Sequence, residues 1–285
     1  MNPDLSTEKE KYRKVGVLEH LGEAIGGQLR SGRIRDRLRA IYHQLLMLRS
    51  GGKGISCGLP GGEFMRVLPA YRFASWNYLE YEAFKTMVQP GFIALDIGAN
   101  IGTYSVLLGQ WVGPQGKVYA FEPAPETFTA LNQHIVMNGL QNIVLSQQKA
   151  VSDCAATLDF HADRFHGTNR ILIAGESATH SSDKVQALTI DEFCTQHRLQ
   201  PDFIKIDIEG FELAALRGAR ETLQAGRGHI ALFVEMHPTT WRQIGITRKE
   251  VLAELEFQGL KAEPLAGGPD AWEIEGVCMR LVHNA

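Results

Sequence analysis

Short apolar runs and amphipathic segments alternate along most of the chain after residue 91. Runs such as FIALDI, Phe92–Ile97, are each followed by apolar residues at three- and four-residue intervals. The first pattern predicts a buried strand and the second an amphipathic helix. Their alternation predicts an α/β fold with a mostly parallel sheet between two layers of helices. The predicted strands are 92–97, 117–121, 142–151, 203–208 and 229–236, and the predicted helices are 103–111, 126–137, 212–224 and 249–258.

The first 75 residues follow a different pattern. Residues 7–49 read as helical with a break at Gly26 and Gly27, and the glycines of SGGKG, 50–54, predict a loop. GLPGGEF then predicts a turn between two short strands within 55–73, and a helix over 76–88 leads into the main domain. We therefore expect an N-terminal helical segment with a hairpin over 1–75 and a second domain over 76–285.

The stretch 153–188 interrupts the alternation with polar sequence such as GESATHSSD. It is too long for an ordinary connection. We expect a substrate-facing or mobile segment there.

Composition narrows the class of protein. With 285 residues, 44% hydrophobic and 21% charged, the chain can bury a large core. Neither an apolar run of about 18 residues nor the apolar core of a signal peptide is present, so we expect a cytoplasmic protein with no membrane partner. The four cysteines lie far apart, which predicts reduced thiols and neither a disulfide framework nor a zinc site.

Charge is distributed unevenly along the chain. Residues 1–75 hold 13 basic and 7 acidic residues, a net +6, which leaves a net −9 for the remainder. A basic segment can indicate a nucleic-acid partner. However, alternating spacings of four and three place the apolar residues of this segment on one helical stripe, which predicts a packing or homodimerising helix. The stripe comprises Ile34, Leu38, Ile41, Leu45 and Leu48.

The turn after the first strand of the main domain predicts a ligand. In parallel sheets, ligands bind beyond the carboxyl ends of the strands, and Gly98 and Gly102 lie in that turn. The spacing departs from the GxGxxG of dinucleotide sites, because Asn100 takes the second glycine position. Asp96 and Glu122 end successive strands, and Glu122 can bind the hydroxyls of a ribose. These carboxylates repel a pyrophosphate but suit S-adenosylmethionine, which is positively charged; alternatively, they cap the following helices.

Four motifs together resemble the FkbM family of class I S-adenosylmethionine-dependent methyltransferases. They are LDIGANIGTYS at 95–105, AFEP at 120–123, FIKIDIEGFELAALRGA at 203–219 and FVEMHP at 233–238. The resemblance covers roughly 76–285 and implies a Rossmann-like seven-stranded sheet whose last strand, 277–283, is antiparallel. It also implies methyl transfer from S-adenosylmethionine to a hydroxyl of a sugar or natural product, with the adenine near Ala150 and Val151. The predicted cofactor-binding residues are Asp96, Gly98, Ala99, Asn100, Gly102, Tyr104, Glu122, Pro123, Ala150, Val151 and Asp207.

The predicted catalytic residues follow the fourth and fifth strands. Lys205 and Asp207 are two apart and share one face of a strand, as do Glu235 and His237. Lys205 and Asp207 either neutralise each other or lie beside the methyl donor and position the acceptor. His237 is the natural group to take a proton from the attacking hydroxyl, although it can equally be structural. Glu212 is expected only to complement the dipole of its helix.

Several alternatives stay open at this point. Asp207, Glu235 and His237 can together hold Mg²⁺, but nothing in their spacing requires it, and we expect no metal. An RNA methyltransferase using the basic N-terminal helices is a second reading, opposed by the absence of a [DNS]PP[YF] motif and of a Pro-Cys nucleophile. A third is a non-catalytic cofactor-binding module that dimerises through the helical stripe. A dinucleotide oxidoreductase is the fourth.

Overall fold

The computed structural model describes residues 32–72, 76–161, 170–171, 183–266 and 271–284. The helices are α1 (Gly32–Arg49), α2 (Tyr78–Met87), α3 (Thr103–Val112), α4 (Pro125–Met137), α5 (Ile190–His197), α6 (Glu212–Arg217), α7 (Arg220–Ala225), α8 (Pro238–Gln243) and α9 (Arg248–Phe257). The strands are β1 (Ile55–Gly58), β2 (Phe64–Val67), β3 (Ile93–Ile97), β4 (Lys117–Phe121), β5 (Val144–Gln147), β6 (Ala150–Val151), β7 (Ala156–His161), β8 (Arg170–Ile171), β9 (Asp183–Leu188), β10 (Phe203–Ile206), β11 (Ala231–Met236), β12 (Leu260–Pro264) and β13 (Val277–His283).

The main sheet has seven strands in the order β12-β13-β11-β10-β3-β4-β5. The pairs from β5 to β11 are parallel, and β13 runs antiparallel to both of its neighbours. The predicted mostly parallel sheet with an antiparallel last strand is therefore confirmed. The carboxyl ends of β3, β4, β10 and β11 lie at one edge of the sheet, where ligands bind in such folds.

Aromatic packing shows that helices cover both faces of this sheet. On one face the ring of Phe84 in α2 lies 5.3 Å from that of Phe203 and 4.8 Å from that of Phe233. On the other face Phe193 of α5 packs edge-on against Phe121, with 4.9 Å between ring centroids. Burial of these rings on opposite faces explains why the strands read as continuous apolar runs rather than alternating ones.

A second sheet, in the order β6-β9-β7-β8, was not predicted. The predicted strand 142–151 is wrong as one element, because exposed Gln148 and Lys149 separate β5 in the main sheet from β6 in the second. Sequence analysis predicted no strand within 153–188, yet β7 and β9 lie there and pair antiparallel. The expectation of a substrate-facing or mobile segment stays a prediction. Residues 162–169 and 172–182 of that segment lie outside the described part of the chain.

The predicted helix 212–224 consists of two helices. They are interrupted at Gly218, where a Cβ atom would lie 2.2 Å from the carbonyl oxygen of Ser152. Glycine therefore allows the chain to pass close to the neighbouring backbone, and the helix restarts at α7.

Contacts divide the described chain into two compact units. One contains residues 32–72 with Gln133–Gly139, and the other contains Trp76–Asn132 with Leu140–Asn284. In the first unit, β1 and β2 form the predicted hairpin. The residue that follows β2 contacts the end of α4, where the backbone N–H of Leu68 donates to Nε2 of His134 at 2.9 Å. The proposed division of the protein into a 1–75 segment and a 76–285 domain stays a prediction.

The apolar stripe of α1 is exposed in this single chain. Leu38, Ile41, Leu45 and Leu48 are between 45% and 76% exposed, and the side chain of Ile34 lies outside the described residues. The predicted homodimer through this stripe stays a prediction.

No helix in the described ranges has the length and apolar character that crossing a bilayer requires.

Candidate active site

The loop between β3 and α3 follows a tight path at the end of the central strand. Gly98, Asn100 and Gly102 all have positive φ angles, at 84°, 50° and 89°. A Cβ atom on Gly98 would lie 1.7 Å from the carbonyl oxygen of Asp207, so only glycine fits without moving the backbone. The loop thus presents small side chains and main chain to the space above the strand ends.

Asp96 is the penultimate residue of β3 and is 1% exposed. Its Oδ2 accepts a hydrogen bond from the hydroxyl of Ser105 at 2.5 Å, whereas its buried Oδ1 has no hydrogen-bond partner among the described residues. Burial raises the pKa of Asp96, and the neighbouring Lys205 partly offsets that rise. A buried carboxylate oxygen without a donor is costly, so Asp96 is suited to a ligand that brings one.

Glu122 follows β4 and links two loops. Its Oε2 accepts from the backbone N–H of Asn100 at 2.8 Å. Its Oε1 accepts from the backbone N–H of Ala124 at 2.9 Å and from the hydroxyl of Thr127 at 2.7 Å. Burial raises its pKa, and these donors limit the rise. Glu122 therefore fixes the first loop and the residue that precedes α4, and its oxygens retain capacity for further donors.

Lys205 and Asp207 form an ion pair at the end of β10. Nζ of Lys205 lies 2.9 Å from Oδ2 of Asp207 and 5.1 Å from the centre of the Tyr104 ring. The Lys205 side chain is 3% exposed and that of Asp207 is 26% exposed. Burial by itself lowers the pKa of Lys205, but Asp207, Asp96 and Glu235 raise it above its usual range. Burial likewise raises the pKa of Asp207, but Lys205 and His237 outweigh it and lower this pKa.

His237 precedes α8, and its buried ring is held by Glu212. Nδ1 of His237 lies 2.8 Å from Oε1 of Glu212, and the same carboxylate accepts from Nε1 of Trp241 at 2.7 Å and from the backbone of Gly210 at 2.8 Å. Burial by itself lowers the pKa of His237, but Glu212, Asp207 and Glu209 raise it to about 10. Without a ligand, the imidazole is therefore positively charged at neutral pH.

Nε2 of His237 points toward a group of carboxylates. It lies 3.6 Å from Glu209, 3.8 Å from Glu235 and 3.9 Å from Asp207. Burial and the adjacent Asp207 raise the pKa of Glu235 to about 9. The raised pKa favours the protonated form of Glu235, and protonation relieves the repulsion between these acids.

The structure brings the four predicted catalytic residues together at adjoining strand ends. The predicted cofactor residues of the first loop, Gly98 to Gly102, lie beside Glu122. The hydroxyl of Tyr104 accepts from the backbone N–H of Asn77 at 3.0 Å, and its ring lies beside Lys205. Within the first loop, Ala99 is buried. Of the other predicted cofactor residues, Pro123 is half-buried. Ala150 and Val151 are buried and pair with β9.

Sequence reasoning missed the positioning role of Glu212. The prediction assigned it only to the helix dipole, and it does begin α6, but its carboxylate also anchors His237. The partners lie 25 residues apart on different elements, so no spacing rule connects them. The indole N–H of Trp241 also donates to Glu212 across 29 residues, a contact that sequence spacing does not reveal either.

Two ligand types suit these residues. Asp207, Glu209 and His237 can each offer one ligand atom to a metal ion, with these atoms all within 4.8 Å of one another. The glycine loop, the unpartnered Oδ1 of Asp96 and the Glu122 carboxylate fit a cofactor that carries an ammonium group and a ribose. The same carboxylates oppose a diphosphate.

Comparison with known proteins gives the family. The model of the methyltransferase FkbM domain matches residues 96–261. The hexuronic acid methyltransferase AglP of Haloferax volcanii is 26% identical over 171 residues, which cover 59% of this chain and 63% of that protein. The 31-O-demethyl-FK506 methyltransferase FkbM of Streptomyces tacrolimicus is 38% identical over 78 residues, covering 27% of this chain and 29% of that protein.

Among solved structures, the methyltransferase FkbM from Methylobacillus flagellatus aligns with a TM-score of 0.46 and 17% identity, over 71% of this chain and 50% of that chain. The chain spans less than two thirds of the length of each of these three proteins. The family match itself runs from Asp96 through Asp207 and His237 to Lys261, and so contains both groups of strand-end residues. The chain therefore belongs to the FkbM family of S-adenosylmethionine-dependent class I methyltransferases.

Proposed function

We propose that this methyltransferase acts on a hydroxyl oxygen of a small molecule, such as a sugar or a natural product. The observation that carries this proposal is the convergence of Asp207 and His237, whose Oδ1 and Nε2 atoms lie 3.9 Å apart at the mouth of the strands. The carboxylates of Asp207, Glu209 and Glu235 are 22% to 34% exposed, so an acceptor can reach them. A hexuronic acid methyltransferase among the relatives agrees with a sugar acceptor.

In this proposal the residues of the site form a cofactor side and an acceptor side. On the cofactor side, the loop 98–102 provides close backbone approach, Asp96 meets a cationic group, and Glu122 accepts from the ribose. Ala150 and Val151 lie beside the adenine in this proposal. When bound, S-adenosylmethionine supplies a methyl group on a positively charged sulfur, and the transfer forms an oxygen–carbon bond, breaks the carbon–sulfur bond and leaves the hydroxyl proton for a base.

On the acceptor side, Asp207 and His237 hold the hydroxyl in line with the methyl group. Alignment of the reacting atoms provides much of the acceleration in such transfers. Asp207 takes the hydroxyl proton in this assignment, because Lys205 pairs with its other oxygen and favours the ionised form. Lys205 is a positioning residue, since its buried ammonium group is inaccessible to the acceptor. Glu235 completes the polar wall around the acceptor.

The proposal can be tested with S-adenosylmethionine that carries a ¹³C-labelled methyl group. The protein is incubated with a panel of glycosides, hexuronic acids and hydroxylated macrolides, and with total RNA. We expect an acceptor-dependent methoxyl carbon signal that resists mild alkali, as an ether does. An alkali-labile methyl ester would contradict the hydroxyl assignment, and transfer to RNA alone would favour the nucleic-acid alternative.

Two variants complete this test. Asp207→Asn should lower turnover at least a hundredfold, within the range for loss of acid–base catalysis. Glu256→Gln is the matched control, because this exposed carboxylate of α9 is not among the residues proposed for the site. Its turnover should match that of the unmodified protein. Equal turnover in Asp207→Asn would remove Asp207 from the reaction.

A further inference from the structure

We propose that Asp207, Glu209 and His237 bind a divalent metal cation that holds the acceptor. This inference deepens the proposed function and rests on it, because it concerns the same acceptor side of the site. It replaces the sequence-based expectation of no metal, and it substitutes Glu209 for the Glu235 of the Mg²⁺ alternative. The three ligand atoms lie within 4.8 Å of one another.

The first observation concerns the buried ring of His237. Its side chain is 4% exposed, and Nε2 makes no hydrogen bond within the described part of the chain, although it points at three carboxylates. Nδ1 is bound to Glu212. Metal-binding histidines commonly use one ring nitrogen for the ion and give the other to a carboxylate, which fixes the ring. Nε2 is thus the ring nitrogen left to meet an ion among these carboxylates.

The second observation concerns separations between possible ligands. From Nε2 of His237 to the carboxylate oxygens of Glu209 and Asp207 the distances are 3.6 Å and 3.9 Å, which exceed those of hydrogen bonds. Ligand bonds of roughly 2.1 to 2.4 Å place opposite ligands about 4 to 5 Å apart and adjacent ones about 3 Å apart. The three atoms therefore need only small movements to surround one ion.

The third observation is that the ligand oxygens have no competing bond to Lys205. The ammonium group of Lys205 pairs with Oδ2 of Asp207, whereas Oδ1 is the atom that faces His237. Two carboxylates and one imidazole suit Mg²⁺ or Mn²⁺ better than a thiolate-seeking metal. Half-exposed Asp207 and Glu209 leave the outer side of the ion open.

The open coordination positions suggest the acceptor class. A cation bound by three protein atoms has room for two acceptor oxygens on neighbouring carbons, as in a sugar diol or a hydroxy acid. Coordination also lowers the pKa of a bound hydroxyl, so its proton passes to water when the ion is present, because Oδ1 of Asp207 then binds the ion and no longer acts as the base. We therefore infer an acceptor that chelates the ion, rather than an isolated alcohol.

The test titrates the full-length protein with Mn²⁺ alone and follows the loss of the free Mn²⁺ signal by electron paramagnetic resonance. One site per chain is expected, with Glu209→Gln and His237→Asn each lowering its affinity at least tenfold. Glu256→Gln, at an exposed position of α9, should bind Mn²⁺ as the unmodified protein does. Thermal unfolding checks that each variant is folded, and Glu209→Gln keeps the inference testable if His237→Asn does not fold.

The outcomes separate this inference from the proposed function. No binding at millimolar Mn²⁺, or unchanged affinity in a folded Glu209→Gln variant, would overturn the cation site even if hydroxyl methylation is observed. Undiminished methylation of an acceptor in excess chelator would overturn the role of the ion. Single-site Mn²⁺ binding that Glu209→Gln abolishes would support the site even if methylation proves to occur elsewhere than on a hydroxyl.

Discussion

Gly98 lies so close to Asp207 that a Cβ atom on the glycine would be 1.7 Å from the aspartate's carbonyl oxygen. In addition, the backbone N–H of Asp207 donates to the carbonyl of Ile97 at 2.9 Å. The loop that receives the cofactor and the residue that faces the acceptor are thus fixed to each other through main chain. A change on either side moves both.

Gly98→Ala should therefore disturb the cofactor loop and Asp207 together. We expect destabilisation by roughly 2 to 5 kcal/mol from the positive φ and the overlap, with cofactor affinity lowered at least tenfold. Urea unfolding and calorimetry measure the two effects. Gly228→Ala is the control, because its φ is 77° and nothing lies within 4 Å of the added atom. If Gly228→Ala lost as much stability as Gly98→Ala, the positive φ angle rather than the contact with Asp207 would explain the destabilisation.

Glu122→Gln should weaken S-adenosylmethionine binding by about 1 to 3 kcal/mol. Glutamine has one acceptor oxygen, so the N–H group of Asn100 or that of Ala124 loses its partner, and the ribose loses an anionic acceptor. Isothermal calorimetry measures the affinity. Glu256→Gln, on the exposed side of α9, should leave it unchanged. Unaltered affinity in Glu122→Gln would exclude Glu122 from the cofactor site.

Lys205→Met should be strongly destabilising because it leaves Asp207 and Asp96 without their buried cation. Removal of one member of a buried pair costs about 3 to 5 kcal/mol. Asp207→Asn combined with Lys205→Met should recover part of that loss, which a double-mutant cycle by urea unfolding would show. A double variant as unstable as the sum of the single ones would mean that the two side chains do not interact.

Arg220→Leu should make stability less dependent on pH. Burial raises the pKa of Glu254, but Arg220, together with Gln258 and Arg217, outweighs burial and lowers this pKa overall. A carboxyl group whose pKa is lower in the folded state than in the unfolded state stabilises the fold at pH values above the unfolded pKa of about 4.3. This stabilisation is lost as the pH falls through the folded pKa. We expect Arg220→Leu to lower the free energy of unfolding by about 1 to 2 kcal/mol at pH 7 and by less in acid. Urea unfolding at pH 7 and at an acidic pH measures both differences.

The exposed pair of Arg242 and Glu273 provides the control for this experiment. Its side chains are 60% and 52% exposed, so Arg242→Leu should change stability by less than about 1 kcal/mol. A loss in Arg220→Leu that stayed constant from pH 7 into acid would contradict the assignment to Glu254.

Much of the fold could be predicted because the strands of a parallel sheet covered on both faces appear in the sequence as continuous apolar runs. The second sheet was missed although its signal is present. In β9 the buried Val185 and Ala187 alternate with exposed Lys184 and Gln186, which is the two-residue period of a strand. Polar composition on either side of these strands concealed that period.

The site was predictable where residues follow strand ends and less so where they meet across elements. Asp96, Glu122, Asp207 and His237 each end or directly follow a strand, so parallel topology alone brings them together. By contrast, the anchoring of His237 depends on α6 and α8 meeting at Glu212, a contact that tertiary packing decides. The choice of Glu209 over Glu235 as a metal ligand is likewise a matter of distances that no spacing reveals.

Between Gln147 and Phe203 the chain leaves the main sheet, builds a separate one, and returns beside the central strand. This excursion begins after one strand is complete and ends before the next begins. The part that holds β7, β8 and β9 can therefore be lengthened or shortened without altering the order of the seven strands, whereas Ala150, Val151 and α5 stay tied to the site and to the main sheet. That part is the natural place for an engineer to graft a foreign segment when a new acceptor is wanted.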